Sequence, residues 1–121
     1  MRLTGAFFFS MPVQKGDLLI YQGDDYAAQV YVSHDGIPPD QVLTGYTAKA
    51  QIRDGYADDN PTVIVEIQTF VQTPYVNLSI PKAQTLDLEG DYLWDLQVIN
   101  SGGVVTTILY GIATVLKEVT R

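Results

Sequence analysis

What most constrains this chain is a two-residue alternation of apolar and polar side chains, interrupted by turn residues about every 8 to 15 positions. Successive side chains of a strand point to opposite faces, so the alternation describes sheets with one face turned to a core. No stretch of about 12 or more residues carries a helical period instead. Over 25–33, Ala28, Val30 and Val32 fall on one face and Gln29, Tyr31 and Ser33 on the other. A strand at 17–21 precedes it and is expected to pair with it across Gln22-Gly23-Asp24. Over 45–53, Ala48, Ala50 and Ile52 face inward, with Thr47, Lys49, Gln51 and Arg53 facing water. The segment 62–69 sets Val63, Val65 and Ile67 against Ile64, Glu66 and Gln68, and 75–80 turns Val76, Leu78 and Ile80 inward. In 91–99, Tyr92, Trp94, Leu96 and Val98 oppose Asp95 and Gln97, and 104–119 returns as a long last strand.

The connections have turn chemistry. His34-Asp35-Gly36 ends one strand, with Gly36 free to adopt positive φ. Ile37-Pro38-Pro39-Asp40 cannot occupy a central strand, because proline lacks an amide donor. Asn100-Ser101-Gly102-Gly103 suits a hairpin loop, and Gly111 within the last strand marks a bulge or a close neighbour. Residues 81–88 form the one helical candidate: Pro81 suits a first helical position, Gly90 a stop, and a single turn there would bridge two sheets. Inward Ala48 and Ala50 facing inward Trp94 would match small against large. The expected fold is all-β: an antiparallel, immunoglobulin-like sandwich of about seven strands with one short helical turn. A closed barrel fits the same pattern. The sandwich domain is assigned to 14–121, and residues 1–13 to an N-terminal arm or edge strand.

A chain of 121 residues can bury a core without covalent staples. With 46% apolar and 17% charged residues it does not have a disordered composition. The absence of cysteine removes disulfides, thiolate metal sites and thiol nucleophiles. A net charge of −7, with seven scattered Lys and Arg, argues against nucleic acid and against an anionic membrane surface as partners. The apolar run 5–13 is too short to span a bilayer and lacks the flanking charge and cleavage pattern of a signal peptide, so the chain is expected to begin at or near Met1.

Little in the sequence suggests catalysis. His34 is the only histidine. Ser33, His34 and Asp35 are adjacent, yet neighbouring strand side chains diverge and cannot converge as nucleophile, base and orienter. The loop from Asp54 to Asn60 offers several oxygens for calcium without the spacing or closing Glu of an EF-hand. Catalytic, cofactor-binding and metal-binding residues are therefore expected to be none, and a small-molecule ligand is disfavoured. Eight tyrosines could form an outward stripe for sugar rings, which makes a carbohydrate-binding module one alternative. Three adjacent phenylalanines, Phe7, Phe8 and Phe9, cannot all face the core of one strand. With the Pro38-Pro39 loop they are the candidate interface residues.

Three stretches carry a family resemblance: Gln14-Lys15-Gly16-Asp17; Leu43-Thr44-Gly45-Tyr46-Thr47-Ala48-Lys49-Ala50-Gln51-Ile52-Arg53; and Gly90-Asp91-Tyr92-Leu93-Trp94-Asp95-Leu96-Gln97-Val98, with the closing strand from Gly103 through Gly111 and the final Glu118-Val119-Thr120-Arg121. From about residue 14 onward, the chain resembles small β-sandwich accessory virion proteins of tailed bacteriophages, associated with tail fibres or baseplates and similar to the N-terminal module of upper baseplate proteins. The resemblance implies a non-enzymatic structural protein of the virion that docks or connects parts of the tail, baseplate or fibre region. Its implied partners are other virion proteins, with the chain present in multiple copies or as a homo-oligomer. A capsid cement protein is the alternative within that class.

Overall fold

The strands form where the alternation puts them, and the tertiary structure decides which of them meet. The computed structural model describes residues 14–33, 36–54 and 62–117. In chain order the elements are β1 (Gln14–Lys15), β2 (Leu18–Tyr21), β3 (Tyr26–Tyr31), β4 (Thr47–Arg53), β5 (Val63–Gln72), β6 (Tyr75–Ile80), α1 (Lys82–Thr85), β7 (Gly90–Ile99) and β8 (Val105–Leu116). The strands run in the order β1-β8-β7-β4-β5-β6-β3, with β2 also on β8.

This path folds into two layers because β5 serves both. Its first half pairs with β4, through Ile67↔Ala50 and Val65↔Ile52; its second half pairs with β6, from Gln68↔Ser79 to Gln72↔Tyr75. Where β5 peels away from β4, the Thr69 hydroxyl donates to the Ala48 carbonyl at 2.9 Å and so replaces a ladder bond. The larger sheet is β1/β2-β8-β7-β4-β5, and the smaller is β5-β6-β3. Their inner faces supply one core: Val30, Val76, Leu78 and Ile80 from the smaller sheet, and Ile20, Ile52, Leu96, Val98 and Val115 from the larger. Burial of each such side chain contributes about 1.5–3 kcal/mol. The all-β sandwich is therefore the fold. Among the described residues no ladder joins β3 to β1 or β2, so the described strands do not close into a barrel.

Several local expectations need correction. The strands at 17–21 and 25–33 do not pair with each other: β2 lies on β8 and β3 on β6. A turn at Gly23 (φ +85°) carries the chain from one sheet to the other. The sandwich is antiparallel except at this border, where β1 and β2 run parallel to β8. Parallel pairing arises because the chain enters along the same strand that it will later lay down, with the whole domain intervening.

Trp94 does not face Ala48 and Ala50. On β7 it sits opposite Ile52 on one side and Gly111 on the other, so the small partner of the indole is Gly111. The inserted residue in β8 is near Ile108, where the register to β7 shifts, and both Ile108 and Leu109 are buried. Gly111 marks a close neighbour instead. A Cβ there would collide with the Gly16 carbonyl and lie 2.6 Å from Asp17 Oδ1. The Trp94 indole nitrogen donates to that same Gly16 carbonyl at 2.7 Å, and Asp17 Oδ1 accepts from the Ile112 amide at 3.0 Å.

Alternation puts Gln51 in water, yet it is only 9% exposed, since Glu66 and Arg53 close over it. Alternation puts Val63 on one face with Val65 and Ile67, yet Val63 is 45% exposed while those two are buried, because the β4–β5 register shifts between Ile52 and Arg53. In the helical turn, Pro81 is the residue before the helix, with extended backbone, and the first helical amide, on Lys82, donates to Asp25 Oδ1 at 2.8 Å.

Candidate functional site

The candidate site is a set of surfaces on the loops and outer sheet faces; among the described residues no grouping of three or more His, Cys, Asp or Glu side chains able to hold a metal occurs. His34 and Asp35, and the oxygen-rich loop after Asp54, lie outside the described residues, as do the candidate interface residues Phe7, Phe8 and Phe9. No helix among the described residues is long and apolar enough to cross a membrane.

Pro38 and Pro39 are exposed, on a loop that is firmly attached. The Gln41 amide donates to the Pro38 carbonyl at 2.9 Å, closing a turn. The Thr73 hydroxyl donates to the Pro39 carbonyl at 2.7 Å and accepts from the Leu43 amide at 3.1 Å, which ties the loop to the β5–β6 hairpin. Val42 and Leu43 then anchor it, each 2% exposed. Sequence reasoning misses both as core, because two adjacent apolar residues in a loop carry no period. The loop thus presents its prolines at little conformational cost.

The outer face of the larger sheet carries two kinds of surface. Toward its border, Tyr21 lies beside Leu116 and Leu19 beside Thr114, while Tyr110 sits between Lys15 and Asp95. Leu19, Tyr21, Tyr110 and Leu116 are all exposed, with half-buried Leu93 and Ile112 between them. Alternation alone identifies these positions as outward; their apolar character is the signal that could have marked them as a contact strip. Toward β4 the face becomes polar. Gln51 donates to Glu66 at 2.8 Å and accepts from Arg53 at 2.7 Å, and Arg53 lies 3.7 Å from Asp95. Burial raises the Asp95 carboxyl above its ordinary value; Arg53 and Lys49 oppose that rise and Glu66 adds to it.

The tyrosines do not form one stripe. Tyr26, Tyr46 and Tyr92 pack against the core, and burial pushes the phenols of Tyr26 and Tyr46 up. Tyr31 and Tyr75 meet edge to face with centroids 5.5 Å apart on the smaller sheet, whereas Tyr21 and Tyr110 belong to the larger. Tyr56 lies outside the described residues.

No protein-family model matches the chain, and no curated protein sequence matches it. Among solved structures, the chain is similar to the N-terminal domain of phage TP901-1 ORF48, with a TM-score of 0.52 and 9% identity over 96% of this chain and 97% of that one. Fibronectin(III)-like modules of Clostridium thermocellum CbhA overlay more loosely, with a TM-score of 0.47 and 12% identity over 98% of each chain. The resemblance to phage proteins holds at the level of the fold: over nearly its whole length, this chain is built like a domain of a phage protein.

Proposed function

We propose that the chain is a non-enzymatic structural protein of a tailed-phage virion, docking or connecting components of the tail, baseplate or fibre region, with other virion proteins as its partners. The observation that carries this reading is the likeness of fold to a phage protein domain across 96% of one chain and 97% of the other. Its surfaces suit such a role. Apolar side chains line the border of the larger sheet at Leu19, Tyr21 and Leu116, where β2 is the outermost strand among the described residues. A sheet border of this kind accepts a partner through main-chain hydrogen bonds as well as side-chain burial.

The test is incorporation. In phage carrying Leu19→Asp with Tyr21→Ser, the chain should keep its fold by circular dichroism while its abundance in purified particles, read by mass spectrometry, falls at least tenfold. Labelled particles seen by electron microscopy should carry the parent chain at the tail. Absence of the parent chain from purified virions sinks the reading, and label over the capsid replaces it with the capsid-decoration alternative.

A further inference from the structure

The outer face of the smaller sheet is unlike the rest of the surface. Across β3, β6 and β5 the registers set out three rows of three: Ala27–Ser79–Gln68, Gln29–Asn77–Phe70 and Tyr31–Tyr75–Gln72. None of these residues carries a charge at neutral pH, in a chain with fourteen acidic and seven basic side chains. The face is also recessed. A concavity of about 530 Å³ is lined by Ala27, Gln29, Gln68, Phe70, Asn77 and Ser79, within the span of about 300–1,000 Å³ usual for ligand pockets. Small Ala27 and Ser79 leave the floor low, and Phe70 stands at its side with 63% of its surface exposed.

The amides are held but not exhausted. Gln29 Nε2 donates to Asn77 Oδ1 at 2.9 Å, and the Ser79 hydroxyl donates to Gln68 Oε1 at 3.3 Å. These bonds, with Asn77 Nδ2 donating to the Phe70 carbonyl at 3.5 Å, orient the side chains, and among the described residues Gln68 Nε2 and Gln29 Oε1 make no further hydrogen bond. An amide offers a donor and an acceptor a fixed distance apart. Adjacent hydroxyls on a pyranose ring require that combination, and the ring's C–H face requires an apolar plane, which Phe70 supplies. No Lys or Arg lines the recess to meet a phosphate, sulfate or carboxylate. β3 ends the sheet on one side, and the second half of β5 pairs only with β6 among the described residues, so a chain of sugars could run out past either flank.

We infer that this face binds a neutral oligosaccharide, with Phe70 stacking on one ring and Gln29, Gln68 and Asn77 reading its hydroxyls. The site is independent of the docking role proposed above. The test is an immobilised array of neutral oligosaccharides of the gluco, manno, galacto and N-acetylhexosamine series, printed beside sulfated and sialylated ones. The full chain should bind within the neutral set, and Phe70→Ala and Gln68→Ala should each weaken that binding at least tenfold while leaving the circular dichroism and unfolding midpoint unchanged. Amide chemical-shift changes in a titration with the best neutral binder should be saturable and centred on 27–29, 68–70 and 77–79. Silence across the neutral set overturns the inference, as does binding that survives Phe70→Ala or maps to the other sheet. Loss of virion association in Phe70→Ala without any array signal would overturn it in favour of a protein contact, and array silence alone leaves the docking role standing.

Discussion

The two sheets share one core and are finished in opposite ways. The larger sheet holds its border strands by a backbone contact so tight that only glycine fits at 111, and its outer face mixes an apolar strip with the Arg53–Asp95 pair. The smaller sheet joins the rest through a bending strand and a polar clasp, and its outer face is uncharged and recessed. In the clasp, buried Thr85 donates to the Asp24 carbonyl at 2.7 Å and accepts from the Gly23 amide at 3.1 Å, while Gln22 donates to the Leu88 carbonyl at 2.9 Å. Burial dictates similar inner faces, so differences in role can be written only on borders and outer faces.

The sharpest way to break this contrast is at the larger sheet's border. Gly111→Ala places a methyl group against the Gly16 backbone and Asp17, an overpacking that should cost about 3 kcal/mol. The same substitution should speed amide exchange in β2 while leaving β3 and β6 protected. Urea unfolding and hydrogen exchange would read both, and a variant within experimental error of the parent would show that the border tolerates a side chain.

A smaller loss is expected at the clasp. Thr85→Val keeps the shape but leaves the Gly23 amide and Asp24 carbonyl without their buried partner, a cost of about 2 kcal/mol. Thermal unfolding should show it, with the border strands as firmly protected as in the parent. Loss of β2 protection in this variant would mean that border and clasp are one cooperative unit.

The least effect is expected on the charged outer face. Asp95 is raised above its ordinary value chiefly by burial. A carboxyl whose folded pKa exceeds its unfolded value binds more protons in the fold, so its contribution to stability falls as pH rises through that window. Asp95→Asn should therefore gain on the parent as the pH of urea unfolding is raised from acid toward neutral. A difference that is flat or of opposite sign would mean that Arg53 outweighs the burial.

Much of the fold was legible in residue order. Alternation identified the inward Val76, Leu78 and Ile80, the inward Trp94, Leu96 and Val98, and the hairpin at Asn100, whose side chain accepts from the Gly102 and Val104 amides at 2.9 and 3.0 Å. Those features are local: the period of a strand and the turn chemistry of a few residues produce them in any surroundings. Gly111 was legible as special and not as what it is, because the backbone it must admit lies 95 positions earlier in the chain. Gln51 and Val63 were misplaced because a register shift and a polar cluster, neither of them local, decide their exposure.

The surfaces divide along the same line. The exposed Pro38-Pro39 loop could be named from two residues whose chemistry excludes a central strand. The apolar strip at Leu19, Tyr21 and Leu116 could not, since its members come from opposite ends of the chain. Nor could the recess, where Ala27, Gln68 and Ser79 stand in one row only because β5 leaves β4 for β6. Residue order by itself determined which faces are apolar, where the chain turns and that the fold is all-β, because side-chain alternation and turn propensity act over a few residues. Strand partners, the bend in β5, the parallel border and the uncharged recess were decided only by the tertiary structure, because pairing and close approach depend on which distant segments pack together around the one core.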